Sequence, residues 1–245
     1  MLTLAIDTTG TTLSAALLED QTIRAEVFVN TGENHSLHLL PAIKHVYDLA
    51  GASTEKTDLF VCTLGPGSFT GVRIGVSTIK GLAMATNKPV VGFSTLEALA
   101  GNQGAFSGFI CPLLDAQRGE IYAAAYELDD SFIPQLRREA RLTNIEQFLA
   151  LYKGKDKVLF LGSGAVTNAE LIKRTLPEAI IAPVQFCHVR ASIVGWLGLV
   201  KFYQGQMLDV MTFPPLYLRL SEAERKLQME ENGSNMEVDK SYKLL

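Results

Sequence analysis

The sequence lays out one structural plan twice, and that repetition constrains the fold more than any single motif. In the first half, short aliphatic runs at residues 2–6, 12–18 and 23–29 are separated by tight polar turns, the pattern of an antiparallel meander. A helical stretch follows to residue 50, with apolar positions at Leu39, Leu40, Ile43, Val46, Tyr47 and Ala50. Asn34 or Ser36 is expected to cap it and Gly51 to close it. Pro41 is expected within about its first turn, where amide hydrogens have no intrahelical acceptor. A strand at 59–64, a helix at 70–85, a strand at 90–93 and a short helix capped by Ser94 complete the unit.

The second half repeats the order. Strands are predicted at 109–114, 120–126 and 133–140, then a helix to residue 151 opened by a Thr143/Glu146 capping box. A strand at 158–161, a helix at 168–176, a strand at 179–184 and a long amphipathic helix at 188–203 follow. Asp7 and Asp115 end corresponding first strands, and Gly65-Pro66-Gly67 corresponds to Gly162-Ser163-Gly164. The expectation is an α/β protein with two mixed-sheet domains facing a cleft. The boundary is placed in the glycine-rich polar stretch 101–108, giving units at 1–104 and 105–220 and a charged, flexible tail at 221–245.

Charge and cysteine usage narrow the function. The 22 basic residues are outnumbered by 26 acidic ones, for a net charge of −4. A chain that grips nucleic acid alone usually carries a basic excess, so any nucleic acid is expected to be held mainly by a partner. Cys62, Cys111 and Cys187 are an odd set without CxxC spacing, which argues for buried free thiols rather than a disulfide framework or a zinc site. Residues 1–6 are too short for a signal peptide and lack a basic leader. No run approaches the ~20 apolar residues that span a bilayer. The expectation is a cytoplasmic protein with no membrane partner.

The sharpest local feature is Gly65-Pro66-Gly67-Ser68-Phe69-Thr70-Gly71. It reads as a strand-to-helix turn, and on residues alone it is either an anion cradle at a helix N-terminus or a tight turn that brings helix and sheet close. It is neither a Walker loop nor a dinucleotide fingerprint. Gly71, Gly75, Ser77, Thr78 and Gly81 then lie on a helix that propensity discourages, which implies close packing on a face without side chains, with Arg73 and Lys80 turned toward acidic groups. Asp7 and Asp115, with Thr8 and Thr9, are placed either to hold a metal–phosphate group or to satisfy turn amides. The turn after Asp7, Thr8 to Thr11, offers hydroxyls but no lysine or arginine to grip phosphate. His35, His38 and His45 share a helical face but lack further ligands nearby, so surface or interface roles are favoured over a metal. The clusters Arg137/Arg138/Arg141 and Lys153/Lys155/Lys157 read as solvated faces. No serine or cysteine has a motif pairing it to a histidine.

Several of these segments together resemble the bacterial TsaB family of tRNA threonylcarbamoyladenosine biosynthesis proteins. They are Asp7-Thr-Thr, His35-Ser-Leu-His-Leu-Leu-Pro41, Gly65-Pro-Gly-Ser-Phe-Thr-Gly-Val-Arg-Ile-Gly75, Gly81-Leu-Ala, Ser94-Thr-Leu-Glu-Ala-Leu99 and Asp115-Ala-Gln-Arg-Gly-Glu-Ile-Tyr-Ala123. Pro215-Leu-Tyr-Leu-Arg219 extends the match, which runs from Met1 to about Arg219. The resemblance implies a duplicated actin-like (ASKHA, ribonuclease H-like) fold and a non-catalytic scaffold acting beside the transferase TsaD and the ATPase TsaE, with tRNA reached indirectly through the complex. It implies no cofactor on this chain alone, ATP/ADP and metal being held by partner subunits. It also implies a homodimer or TsaD contact through the first two helices, here His38, Leu39, Ala42, Ile43, Val46, Phe69, Val72, Arg73, Gly75, Val76 and Lys80. Asp7, Thr8, Thr9, Gly65, Gly67 and Asp115 would then form a vestigial nucleotide site. TsaD-type relatives place two metal-binding histidines, His-x-x-x-His, after a Val-Gly-x-x segment. Here Val91-Gly92-Phe93-Ser94 leads into Thr95 and Leu99, and neither replaces an imidazole. The competing expectation is an enzyme, a small-molecule kinase or a metallopeptidase, which would turn over ATP or bind stoichiometric zinc on its own.

Overall fold

The computed structural model describes residues 1–32 and 34–219. Glu33 and the expected tail at 221–245 lie outside the described residues. The first sheet comprises β1 (Leu2–Asp7), β2 (Leu13–Glu19), β3 (Thr22–Val29), β4 (Leu59–Thr63) and β5 (Val90–Phe93), in the order β3-β2-β1-β4-β5. β1 pairs antiparallel with β2 and parallel with β4. The second sheet comprises β6 (Phe109–Asp115), β7 (Glu120–Leu128), β8 (Pro134–Asn144), β9 (Val158–Leu161) and β10 (Ile180–Ile181), in the order β10-β9-β6-β7-β8. Read from the other edge, this is the first order again. The chain therefore has the duplicated actin-like, ribonuclease H-like fold, with mixed sheets.

The central strands are buried on both faces, which is why they read as unbroken apolar runs. Leu4, Ile6, Phe60 and Cys62 face α1 (His35–Ala50) and α2 (Phe69–Thr86). The buried stripe of α1 is Leu39, Ala42, Ile43 and Val46, the i, i+3, i+4, i+7 spacing of one helical face. Gly51 closes this helix in the left-handed conformation, φ 62°. Two expectations change here. Asn34 precedes the helix but makes no side-chain cap. Pro41 is the helix's seventh residue rather than a first-turn residue; it is exposed, so the missing bond to Leu37 faces solvent and the buried stripe outweighs it.

The other face of each sheet is covered by a helix from the opposite half. Helix α3 (Thr95–Gly101), capped by the Ser94 hydroxyl, closes the first half in sequence yet packs on β6, β7 and β8. Helices α4 (Ile145–Ala150), α5 (Ser163–Thr167) and α6 (Ala169–Thr175) follow, and α4 and α6 cover the far face of the second sheet. The last helix, α7 (Ala191–Tyr203), packs on β1, β2 and β4 of the first sheet. One buried cluster joins Ala5, Ala16, Leu18 and Val61 through α3 and α7 to Ile110, Tyr122 and Tyr126. Because α7 lies in this shared core, it is apolar nearly all round rather than amphipathic, with Ala191, Val194, Gly195, Leu197, Gly198 and Leu199 all buried.

Its start also differs from the expected residue 188. Glu26 on β3 accepts hydrogen bonds from the Ser192 amide (3.1 Å) and hydroxyl (3.0 Å) and pairs with Arg190. A carboxylate from another strand thus caps the first turn and fixes the helix start at Ala191. Three more boundaries shift. β8 runs to Asn144, whose side chain caps α4 by accepting from the Glu146 amide at 2.8 Å, in place of the Thr143/Glu146 box. The helix expected at 168–176 is found as α6, preceded by an additional short helix, α5, where only the glycine turn was expected, and the strand expected at 179–184 is reduced to Ile180–Ile181. All three cysteines are free and buried, and burial pushes Cys62 and Cys111 up to about 12.

Two glycines let α7 settle onto the sheet. A Cβ at Gly195 would lie 2.4 Å from Leu18 Cδ1, and one at Gly198 would lie 2.5 Å from Val61 Cγ1. Gly198→Ala is expected to destabilise the protein by about 1–3 kcal/mol, the usual cost of overpacking. Gly81→Ala, at an exposed helical position with nothing within 4 Å, is expected to stabilise it by about 0.5–1 kcal/mol. Urea unfolding midpoints at constant slope measure both.

Candidate functional site

A cleft of roughly 1140 Å³ opens between the two sheets. Its walls include the β1–β2 turn, the glycine loop before α2, the first turns of α3, the β6–β7 turn and residues 216–219. The two corresponding aspartates both reach it but differ in state. Asp7 is buried. Its Oδ1 accepts from the Thr9 hydroxyl (2.7 Å), from the Thr63 hydroxyl and, at 3.4 Å, from the Thr9 amide. Its Oδ2 has no hydrogen-bond partner among the described residues. Burial raises the Asp7 pKa above the ordinary carboxylate value, and the hydroxyl and amide donors offset only part of that. Asp115 is exposed, and its Oδ1 accepts from the Gln117 amide at 2.7 Å. Each aspartate thus binds the amide two residues on, the local turn chemistry that was one of the two readings open from sequence.

The glycine loop is packed against the β1–β2 turn. A Cβ on Gly67 would lie 2.2 Å from the Thr9 carbonyl oxygen, and the Ser68 amide already donates to that oxygen at 2.7 Å. The Gly71 amide donates to the Ser68 hydroxyl, which caps α2. Gly71 and Gly75 chiefly face the β1–β2 turn, and the His35 ring at the start of α1 also lies 3.3 Å from where a Gly71 side chain would begin. Their missing side chains would meet the Thr8 carbonyl oxygen at 2.0 Å and the Thr8 hydroxyl oxygen at 2.4 Å, and that hydroxyl donates to the Gly71 carbonyl at 2.7 Å. Gly65, at φ 108°, makes room for the Leu216 carbonyl. The glycines therefore serve close backbone approach, and the amides an anion would need at this turn are partly committed.

Thr95 and Leu99 stand one turn apart on α3 and both line the cleft. They occupy the positions where the resemblance places two imidazoles. Among the described residues no cluster of three or more histidine, cysteine or acidic side chains is arranged to hold a metal ion. His35 pairs its Nε2 with the Gly10 carbonyl at 2.9 Å, and His45 is exposed.

The eleven residues expected at a partner contact divide sharply. Leu39, Ala42, Ile43, Val46, Val72, Gly75 and Val76 are buried within the chain itself. Phe69 and Arg73 are exposed, and His38 and Lys80 are half-buried. The face these helices present outward carries Leu37, Leu40 and Leu49 on α1 and Met84 on α2, each more than half exposed. Leu40 lies among the apolar positions of the predicted helix; helical phase against the Leu39/Ile43/Val46 stripe would have marked it as outward. Of Arg73 and Lys80, expected to meet acidic groups, Arg73 sits instead against aromatic rings, while Lys80 interacts with the Asp209 carboxylate and also lies over a ring. The Arg73 guanidinium is 3.8 Å from the Phe69 ring centre, and the Lys80 ammonium is 5.2 Å from that of Phe213.

Against known proteins, the chain matches the family model of tRNA N6-adenosine threonylcarbamoyltransferase, TsaD, over residues 29–227. It is 35% identical over 228 residues to the tRNA threonylcarbamoyladenosine biosynthesis protein TsaB of Bacillus subtilis, covering 92% of this chain and 97% of that one. It is 37% identical over 134 residues to TsaB of Escherichia coli, covering 53% of this chain and 57% of that one. Among solved structures, a Pseudomonas aeruginosa protein described as similar to the peptidase YeaZ superposes with a TM-score of 0.77 at 25% identity, over 89% of this chain and 99% of that one.

Asp7 gives a pH test with a definite sign. A carboxyl whose folded pKa is raised contributes stability that is complete below its unfolded value, near 3.8, and lost as pH rises through the folded value. Asp7→Asn retains an acceptor for Thr9 and Thr63 and cannot ionise. Its stability relative to wild type is expected to increase as pH rises above 4, measured by urea midpoints across pH 3–8.

Proposed function

The chain belongs to the TsaB family and takes part in tRNA threonylcarbamoyladenosine biosynthesis, and on that premise we propose that it is the non-catalytic scaffold subunit of that pathway. It binds and activates the transferase TsaD together with the ATPase TsaE, and it touches tRNA through that assembly. The observation that carries this reading is the apolar outer face of α1. Leu37 and Leu40, one turn apart near the start of α1, are 64% and 60% exposed on a helix whose inner face is already committed to the sheet. Neighbouring aliphatic side chains held at the surface are what a protein contact uses. The docking face is therefore these outward residues with His38, Phe69, Arg73 and Lys80, while Leu39, Ala42, Ile43, Val46, Val72, Gly75 and Val76 hold the helices in place beneath it.

The cleft supports the non-catalytic assignment. Thr95 and Leu99 offer no ligand set, the glycine loop is spent on packing, and Asp7 is buried with a raised pKa. We read Asp7, Thr8, Thr9, Gly65, Gly67 and Asp115 as the remnant of a nucleotide site, with ATP/ADP and metal held by the partner subunits. The same face serves self-association in the absence of TsaD. The two units, 1–104 and 105–220, each lend a closing helix to the other. Among the described residues no helix is long and apolar enough to cross a membrane, in keeping with a cytoplasmic setting.

The decisive experiment is reconstitution. The purified chain alone is expected to leave tRNA unmodified, and to support modification only with TsaD and TsaE added; modification by the chain unaided would overturn the scaffold reading. Leu37→Asp with Leu40→Asp is expected to weaken co-purification with TsaD by about tenfold or more, the scale of losing central apolar anchors, at unchanged thermal stability. Leu39→Ala is expected instead to cost about 2–5 kcal/mol of folding stability.

A further inference from the structure

After α7 the chain does not leave the molecule. Leu208 pairs with Val90 at the far end of β5, its amide donating to the Val90 carbonyl at 2.9 Å. Phe213 is buried in the first core. The Leu216 amide donates to the Leu64 carbonyl at 2.7 Å, and the Leu216 carbonyl occupies the space that a side chain at Gly65 would fill. The Tyr217 ring lies 5.1 Å from Phe69, and its hydroxyl accepts from Arg73 Nε at 2.8 Å. The segment then crosses the cleft mouth to the second half. There Arg219 donates to the Ala116 carbonyl at 2.8 Å and pairs with Glu120.

The far anchor is an unusual turn. Gln117 and Arg118 both hold positive φ, 62° and 58°, in a region that side chains other than glycine seldom adopt, and both line the cleft. Arg219 grips the residues flanking them, Ala116 and Glu120. Backbone in such a conformation persists where its surroundings over-determine it, and here a residue about a hundred positions away in sequence supplies part of that restraint.

We propose that residues 208–219 form a latch that sets the opening of the cleft. It ties the glycine loop of the first half to the cleft-facing turn of the second, and Tyr217 connects it to the exposed start of α2. Freed from Arg219, the β6–β7 turn relaxes and the two halves separate at the mouth. Anything that displaces Tyr217 from Phe69 and Arg73 loosens the same latch, so the outer end of α2 and the cleft are mechanically coupled.

The test uses the full chain alone, so its outcome is independent of the partner reading above. Arg219→Ala is expected to raise the exchange rate of the Leu216 amide by about tenfold or more, as when a local opening loses a charge-assisted contact. Exchange in the 116–120 turn should rise with it, while amides of β1 and β4 stay protected. Glu120→Gln, which keeps size and removes charge, should act in the same direction, and the double variant should add little to Arg219→Ala. Small-angle scattering should report a larger radius of gyration. Should Arg219→Ala fold poorly, Arg219→Lys with Glu120→Gln provides the same comparison. An unchanged Leu216 amide in folded variants, or additive effects of Arg219→Ala and Glu120→Gln, would overturn the latch.

Discussion

The structure depends on an exchange of helices across a shared core. Neither sheet can bury both faces with its own half alone: α3 leaves the first sheet to cover the second, and α7 returns from the second half to cover the first. Their meeting is fixed by the Lys201–Glu97 ion pair, 2.7 Å apart with both side chains mostly buried. Such a pair sets register more reliably than it adds stability, because desolvation offsets much of its attraction. The apolar cluster around it, from Ala5 and Val61 to Tyr122 and Tyr126, supplies the cohesion. The relative placement of the sheets is set by this packing rather than by the stretch that joins the two halves.

Small residues make that packing close. Gly195 on α7 faces Ala5 and Leu18 on the sheet and Gly198 faces Val61, and on the opposite side Gly71 and Gly75 bring α2 onto the β1–β2 turn. The same device explains why a motif that looks like an anion cradle need not be one. Backbone that approaches backbone needs glycine just as backbone that approaches phosphate does. Here the Thr8 and Thr9 carbonyls fill the space, so the loop's glycines lock the turn that carries Asp7.

A division of labour follows for a TsaB-family chain. The inward sides of α1 and α2 are committed to the fold, while Leu37, Leu40 and Leu49 on α1 and Met84 on α2 stand exposed, and the cleft lies behind them. Phe69 and Arg73 stand where the three features meet, at the start of α2, beside the cleft and under Tyr217.

The duplicated element order, the strand and helix types and the strand-ending aspartates were legible in the sequence, because periodicity and turn chemistry are local: short aliphatic runs between tight polar turns mark β1 to β3, the 3.6-residue spacing marks the Leu39/Val46 stripe, and a glycine after residue 50 stops a helix wherever it lies. Thr95 and Leu99, standing where metal ligands would be needed, were legible too, since composition at a motif position requires no coordinates. What the sequence could not decide is which surface each face meets. Gly75 reads the same whether it faces a helix or Thr8; the all-round apolar α7 looks like an ordinary closing helix until it is seen between two halves; and the start of α7 at Ala191 depends on Glu26, more than 160 residues earlier. Those choices are made by contacts between segments remote in the chain, and such contacts exist only once the two sheets have exchanged their helices.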